Sequence, residues 1–418
     1  MKKWNEKYHD KYKRNTLKGH LMEPGRLRAA WSKVKANKGA GGVDGESIED
    51  FEANLEQNLL EIIRLIKENR YDPQPVKRVY IPKADGGQRP LGIPTIRDRV
   101  VQQALKDILE PIFEEIFLPC SHGYRPGMNA HQAIQKAEAY LERGYHWVVD
   151  ADIKGFFDHV DHQILMDLVR EKIADGRVLD LVEAFLKSGV MMDGSFEETA
   201  EGTPQGGVVS PLLANIYLNH FDRRMGEEGF LLLRYADDFL VFCKNEYDAD
   251  KALRSARRIL EQELKLTLHP DKTRIVMARK EGVGFLGFRF NGRWRRPGDK
   301  AVENFRDAIR EETGRQQPRN LAMVIERINP IIVGWGNYHC GGTVRKIFRL
   351  LDSWVCARLR CFKAKRRNKR VVMFTLPRDA LRQMGLVLLE SLIPDGTLPA
   401  TGSFRTRAVC SKRASTVR

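Results

Sequence analysis

Three aspartates stand where carboxylate chemistry is possible. Asp152 ends the apolar run Trp147-Val148-Val149-Asp150-Ala151-Asp152, and Asp237-Asp238 break a second apolar run, Leu231 to Phe242, otherwise interrupted only by Arg234. An apolar run broken by a polar pair reads as a β-hairpin with the acids at its tip. If the strand ending at Asp152 neighbours that hairpin in one sheet, the three carboxylates converge. Hard oxygen ligands of this kind hold divalent cations. Two such cations, about 3.5–4 Å apart, are what nucleotidyl transfer requires: one activates the attacking hydroxyl, the other neutralises the leaving pyrophosphate. The Asp-Asp pair alone is weak evidence, because about one such pair arises by chance in a chain of this length and most lie in turns. Its strand context gives it weight.

Hydrophobic spacing predicts the elements that hold these acids. Helices are expected from Gly25 to Lys35 and, after the turn Gly39-Ala40-Gly41-Gly42-Val43-Asp44-Gly45, from Ser47 to Glu68. Val76 to Pro94 then reads as a hairpin, with the β-prone Arg78-Val79-Tyr80-Ile81, Pro82, a Gly86-Gly87 turn and a second short run. Helical patterns return over Arg97 to Phe117, Asn129 to Arg143, Asp161 to Gly189 and Tyr247 to Leu266, so mixed α+β sequence extends to about residue 296. From Asn304 the helical period dominates, through Val324 to Tyr338 and Val344 to Arg360.

Charge divides the chain more sharply than hydrophobicity does. Of 71 Lys and Arg against 55 Asp and Glu in 418 residues, 18 basic and only 4 acidic residues fall in 341–418, a net of +14 out of +16. A nearly neutral body with a basic appendage suits a catalytic core followed by a segment that grips a polyanion. Residues 1–20 add seven Lys and Arg against Glu6 and Asp10. The six cysteines (Cys120, Cys243, Cys340, Cys356, Cys361, Cys410) include no CxxC pair, which favours reduced thiols over a disulfide framework or zinc. No apolar h-region follows Met1 and no run approaches the ~20 apolar residues of a membrane span, so a cytoplasmic protein without a membrane partner is expected.

Further blocks lie in a fixed order around the acids. They are Ile81-Pro82-Lys83 with Arg89-Pro90-Leu91-Gly92-Ile93-Pro94, Gly123-Tyr124-Arg125-Pro126-Gly127 and Asp152-Ile153-Lys154-Gly155-Phe156-Phe157-Asp158. Then come Gly202-Thr203-Pro204-Gln205-Gly206-Gly207 through Asn215, Tyr235-Ala236-Asp237-Asp238, and Gly284-Phe285-Leu286-Gly287-Phe288. Together they resemble the group II intron-encoded reverse transcriptases over residues 25 to about 360. Arg327-Ile328-Asn329-Pro330 through Gly334-Trp335-Gly336-Asn337-Tyr338 is similar to the maturase segment that follows those polymerases as a helical thumb.

The resemblance implies an α+β right-hand polymerase, with fingers and palm over 25–296, a helical thumb and maturase domain over 297–370, a basic N-terminal extension over 1–24 and a basic nucleic-acid-binding tail over 371–418. It implies an RNA-directed DNA polymerase that uses two Mg²⁺ ions, with Mn²⁺ a workable substitute, and that assists splicing and retrohoming of its intron. The partners are intron RNA, a DNA primer or target, and dNTPs. Asp152, Asp237 and Asp238 become the metal ligands, with the Ile153 carbonyl an addition. Phe157 and Gln205 line the incoming nucleotide, Lys83 and Arg89 grip its triphosphate, Lys272 is a proton donor to pyrophosphate, and Arg125 lies on nucleic acid. From the residues alone, Lys83 and Arg89 also fit a solvated hairpin, Phe157 fits plain packing, and Lys272 fits a surface lysine.

Trp335 and Trp354 are open between core packing and stacking on RNA. The cluster Lys363, Lys365, Arg366, Arg367, Lys369 and Arg370 is too dense for an ordinary solvated face and is expected along phosphates. Many members of the family continue into an endonuclease domain with paired Cys and His ligands. Nothing comparable follows Arg370, so second-strand cleavage is expected to be absent. Two rivals differ in class. A splicing factor that no longer polymerises is disfavoured by the intact acids, and a related polymerase in another role, such as phage defence, by the thumb block and basic tail.

Overall fold

The computed structural model describes residues 17–82, 87–192, 195–199, 201–203, 206–365 and 376–394. They fall into two compact units, one within Met1–Ala133 and Val149–Ile275, the other within Ile134–Val148 and Val276–Arg413.

The first unit opens with helices α1 (Leu17–Leu21), α2 (Pro24–Ala36), α3 (Ile48–Ala53) and α4 (Leu55–Lys67). The single helix expected over Ser47 to Glu68 is thus two, broken at Asn54. Ser47 caps α3 by accepting from the Asp50 N–H, while Asp50 accepts from the Ser47 N–H, a reciprocal capping box. The expected hairpin is β1 (Val76–Pro82) and β2 (Gln88–Ile93), antiparallel with Ile81 opposite Arg89. After α5 (Ile96–Glu114) comes α6 (Ala130–Glu142), which falls mostly in the second unit. Following β3 (Trp147–Asp152), α7 (His162–Arg170) and α8 (Gly176–Lys187), the short strands β4 (Val190–Met192) and β5 (Ser195–Glu197) extend that hairpin into a sheet of order β2-β1-β4-β5.

The second sheet carries the acids. Helix α9 (Ser210–Glu227) precedes β6 (Leu231–Tyr235) and β7 (Asp238–Cys243). After α10 (Glu246–Arg258) and a π-helical turn over Ile259–Glu263 comes β8 (Arg274–Met277), and the sheet order is β6-β7-β3-β8. Strands β3 and β7, distant in sequence, are therefore neighbours, which is the juxtaposition the acid spacing required. Helix α9 is buried on most of its circumference, including Leu212, Leu213, Asn215, Tyr217, Phe221 and Asp222. An all-round buried helix shows no amphipathic stripe.

The second unit contains α11 (Ala278–Glu281), a three-stranded sheet of β9 (Val283–Phe285), β10 (Phe288–Phe290) and β11 (Arg295–Pro297), and the helices α12 (Asp299–Glu312), α13 (Leu321–His339), α14 (Arg345–Lys363) and α15 (Arg378–Gln383). Residues 283–297 cluster with these helices. So does much of what the charge count assigned to a basic tail. Leu376, Leu381, Leu386, Leu388 and Leu389 are buried in one cluster with Phe305, Ile325, Ile332, Phe348 and Val355. The segment 376–394 carries Arg378 and Arg382 against Asp379 and Glu390, so it is neutral and apolar, and burial of its leucines drives its docking. No helix among the described residues is long and apolar enough to cross a membrane.

Candidate active site

The carboxylate turn is built from backbone outward. Tyr235 on β6 lies opposite Asp238 on β7, leaving Ala236 and Asp237 as a two-residue connection. Ala236 has φ +58°, a left-handed conformation that disfavours an L-residue by about 1–2 kcal/mol, so the surroundings must hold it. They do so from Gly123: a Cβ there would lie 2.3 Å from the Ala236 nitrogen, so only glycine permits this contact. The stretch leading to Gly123 runs along β6, with the Arg234 N–H donating to the Cys120 carbonyl (2.8 Å) and the His122 N–H to the Arg234 carbonyl (3.0 Å).

Asp152 ends β3, and Asp150, two residues earlier, shares its face. The Lys272 ammonium donates to Asp152 Oδ2 at 2.6 Å, and Arg274 on β8 donates to Asp150 Oδ2 at 3.1 Å. Burial, reinforced by Asp150, Asp152 and Asp237, pushes the Asp238 carboxyl up to about 7, with Lys272 opposing. Burial also raises Asp237, helped by Asp152 and opposed by its own backbone N–H, Arg89 and Arg234. Among the described residues neither Asp237 nor Asp238 forms a salt bridge.

Burial and acidic neighbours disfavour the ionised forms of Asp237 and Asp238. Carboxylate oxygens are hard donors of the kind that Mg²⁺ takes. Among the described residues no three acidic, His or Cys side chains already close on a common point, and Lys272 holds the Asp152 oxygen that an ion would use. The Ile153 carbonyl fits as a further donor. The Lys154 N–H donates to the Thr267 carbonyl and the His269 N–H to the Asp152 carbonyl, so the alternation of an antiparallel pair turns the Ile153 carbonyl away from 267–269.

Phe157 sits in the 3₁₀ turn Phe156–Asp158, edge-on to buried Phe156 with ring centroids 5.2 Å apart. Its carbonyl accepts from the Thr203 N–H at 2.7 Å. The half-buried ring, with Arg78, Gly92 and Thr203, lines a cleft of about 260 Å³. Facing the same region, Gly206 (φ +118°) would place a Cβ 2.3 Å from the Gly92 carbonyl oxygen, and the Val208 N–H donates to Gln102 Oε1 at 2.7 Å. Arg89 is exposed on β2 and its charge reaches both Asp237 and Tyr124. Lys83 and Gln205 lie outside the described residues.

Arg125 requires a correction. Its side chain is only 5% exposed, donates to both Glu114 carboxylate oxygens and to the Leu118 and Ser121 carbonyls, and stacks 5.2 Å from the Phe117 ring centroid. A guanidinium with its donors committed inward braces the loop before Gly123 and does not reach a phosphate. In the thumb, Trp335 is core: its Nε1–H donates to the Ala301 carbonyl (3.1 Å) and its ring packs on Phe305 and Phe348. Trp354 is only partly buried, with the Arg306 and Arg310 guanidiniums 5.9 and 5.8 Å from its ring. Lys363 is exposed in the last turn of α14, whereas Lys365 (φ +51°) donates to the Arg315 carbonyl. Arg366, Arg367, Lys369 and Arg370 lie outside the described residues.

Two features escaped the sequence reading. Asp150 was visible through strand alternation, since residues two apart share a face. The buried pair Arg234–Asp222 was not, because its members are joined only by the packing of α9 under β6.

Adjacent strands bearing Asp152 and the Asp237-Asp238 turn define a template-directed nucleotidyltransferase palm. A reverse transcriptase (RNA-dependent DNA polymerase) family model matches residues 81–290, and the group II intron maturase-specific domain matches residues 302–375. The chain belongs to the group II intron-encoded reverse transcriptases, RNA-directed DNA polymerases with a maturase domain. It is 34% identical to Protein YkfC of Escherichia coli K12 over 348 residues, covering 74% of this chain and 90% of that protein. It is 40% identical over 207 residues to the Group II intron-encoded protein LtrA of Lactococcus lactis subsp. cremoris, covering 49% of this chain and 34% of LtrA. A Schizosaccharomyces pombe protein described as an uncharacterized 91 kDa protein in cob intron is 28% identical over 334 residues, covering 66% of this chain and 41% of its own length. The chain thus spans most of YkfC and well under half of the other two.

Proposed function

We propose that this chain copies its intron RNA into DNA from a DNA primer and helps the same RNA to splice, working in the cytoplasm. The observation that carries the reading is the meeting of Asp152, Asp237 and Asp238 in one sheet, where burial and the neighbouring Asp150, Asp152 and Asp237 push the Asp238 carboxyl up to about 7. Asp152, Asp237, Asp238 and the Ile153 carbonyl would hold two Mg²⁺ ions. When bound, these supply charge stabilisation at the attacking and leaving oxygens.

The chain's own residues do the rest. Arg89, with Lys83, grips the triphosphate. Phe157 crowds the sugar 2′ position beside Gln205, favouring deoxynucleotides. Lys272, released from Asp152, presents its ammonium proton to the leaving pyrophosphate. The exposed Lys363 and the basic residues after it, with Arg306 and Arg310 around Trp354, track RNA phosphates.

The test is extension of a DNA primer annealed to RNA by the purified chain with dNTPs and Mg²⁺, followed by self-splicing of the intron at low Mg²⁺ with and without protein. Extension abolished by EDTA and splicing raised by the protein are expected. A chain that raises splicing but extends no primer is a binding factor, and the polymerase reading falls.

A further inference from the structure

Beneath the carboxylate turn lies a polar network that the reaction itself does not use. Arg234 is fully buried and pairs with Asp222, also buried, through Nε–Oδ1 (2.7 Å) and Nη2–Oδ2 (2.5 Å). Its remaining amino group, Nη1, donates to the carbonyl of Ala236 (2.8 Å) and to Asn215 Oδ1 (3.1 Å). Asn215, 1% exposed, in turn donates through Nδ2 to the Gly123 carbonyl (2.9 Å). The guanidinium is therefore bonded to an acid on α9, to the residue just before Asp237, and through Asn215 to the glycine that touches that residue.

A buried ion pair is weak ground for stability, because apolar residues of like volume serve as well or better. The placing of this one suggests another role. Ala236 is held left-handed without the freedom of glycine, and the direction of its carbonyl sets the direction in which Asp237 leaves the turn. A planar fork with fixed donors restrains a carbonyl in a way a lysine cannot.

We propose that Arg234 is a positioning residue: with Asn215 it fixes the Ala236-Asp237 peptide from below and so sets the Asp237 carboxylate for metal. This rests on the polymerase reading above. Arg234→Lys keeps a cation beside Asp222 and removes the fork. Asn215→Ala keeps the whole Arg234–Asp222 pair and removes the tether to Gly123. Each is made in the full chain and compared with wild type in three ways: Mn²⁺ binding followed by electron paramagnetic resonance without nucleotide, thermal unfolding, and single-nucleotide incorporation resolved into kcat and KM.

The expected result for both is Mn²⁺ affinity weakened about tenfold, as for lost supports of metal ligands. The kcat falls up to about 100-fold, KM for dNTP stays within about twofold, and cooperative unfolding is retained. Unchanged Mn²⁺ affinity and kcat in the variants that fold would overturn the proposal, and Asn215→Ala decides alone if Arg234→Lys does not fold. The Mn²⁺ measurement needs no polymerase activity, so a wild type that binds Mn²⁺ but extends no primer defeats the functional reading and leaves this one decidable.

Discussion

Two aspartates withdrawn from solvent to different degrees, one in each unit, have opposite surroundings. Asp352 in the thumb is 1% exposed and accepts from the Leu389 N–H (2.7 Å), the Glu390 N–H (3.0 Å) and Arg378 (3.1 Å). Burial raises its carboxyl, with a small addition from the Glu390 charge, and all three donors oppose the rise. Asp238 on β7 is half-buried; burial raises its carboxyl too, but there Asp150, Asp152 and Asp237 add to the rise and Lys272 opposes it. Asp352 docks the segment 376–394 and builds the fold. In the proposed function Asp238 serves to hold a cation, and its acidic neighbours disfavour its ionised form. The balance of neighbouring charges and donors thus distinguishes an acid that builds the fold from one proposed to hold metal.

The sharpest way to break this comparison is to neutralise both residues. Asp238→Asn should lower primer extension roughly 1,000-fold, since a metal ligand contributes several kcal/mol of transition-state stabilisation, while the thermal midpoint holds or rises. Asp352→Ala should do the reverse. It strands two N–H groups and Arg378, at about 3 kcal/mol, and calorimetry should show the thumb melting early while incorporation per folded molecule stays near wild type. If Asp238→Asn unfolds the protein instead, the two acids do the same job.

The basic end of the thumb should show the next largest effect. Neutralising Lys363, Lys365, Arg366, Arg367, Lys369 and Arg370 together should weaken intron RNA binding by about 100-fold or more at moderate salt and flatten its salt dependence. Extension of an annealed primer should suffer less. Filter binding across a salt series checks this, and an unchanged slope would remove these residues from the RNA path. A smaller effect is expected at Phe157→Ala: dNTP over rNTP preference relaxed about tenfold in competition assays, against no change if the ring only packs.

The smallest effect is on pH. The folded-state carboxyl of Asp238 stands near 7, above its unfolded value near 3.9. The native state therefore binds the extra proton between those values. Without metal, stability should fall as pH rises from about 4 to 7, because ionising Asp238 is harder in the folded chain. Chemical denaturation of metal-free protein should show that downward slope, reduced in Asp238→Asn. Equal slopes would mean another group titrates.

What was legible in the sequence follows periodicity. Strand Trp147–Asp152 and the hairpin Leu231 to Cys243 stand out because apolar runs end in acid, and Pro24–Ala36 because its apolar residues recur every three or four positions. Helix α9 is harder to see, since a helix buried all round has no stripe, and Asp222 within it gives no hint that Arg234 is its partner. The three-residue strands β4 and β5 are too short for alternation to register. Arg125 was misjudged because charge suggests surface, and only the structure shows Glu114 waiting inside. The leucines of 376–394 were hidden by counting charge over a window that also held the cluster at 363–370.

The most direct test of the whole account is incorporation of one dNTP onto a DNA primer annealed to RNA, measured across Mg²⁺ concentration for wild type and Asp237→Asn with primer–template affinity measured alongside. The wild-type rate should rise with Mg²⁺ and saturate. The variant should give no product above background at any Mg²⁺ concentration, with primer–template affinity within about twofold, because an amide cannot replace the ligand's charge. Near wild-type incorporation by Asp237→Asn would contradict the account.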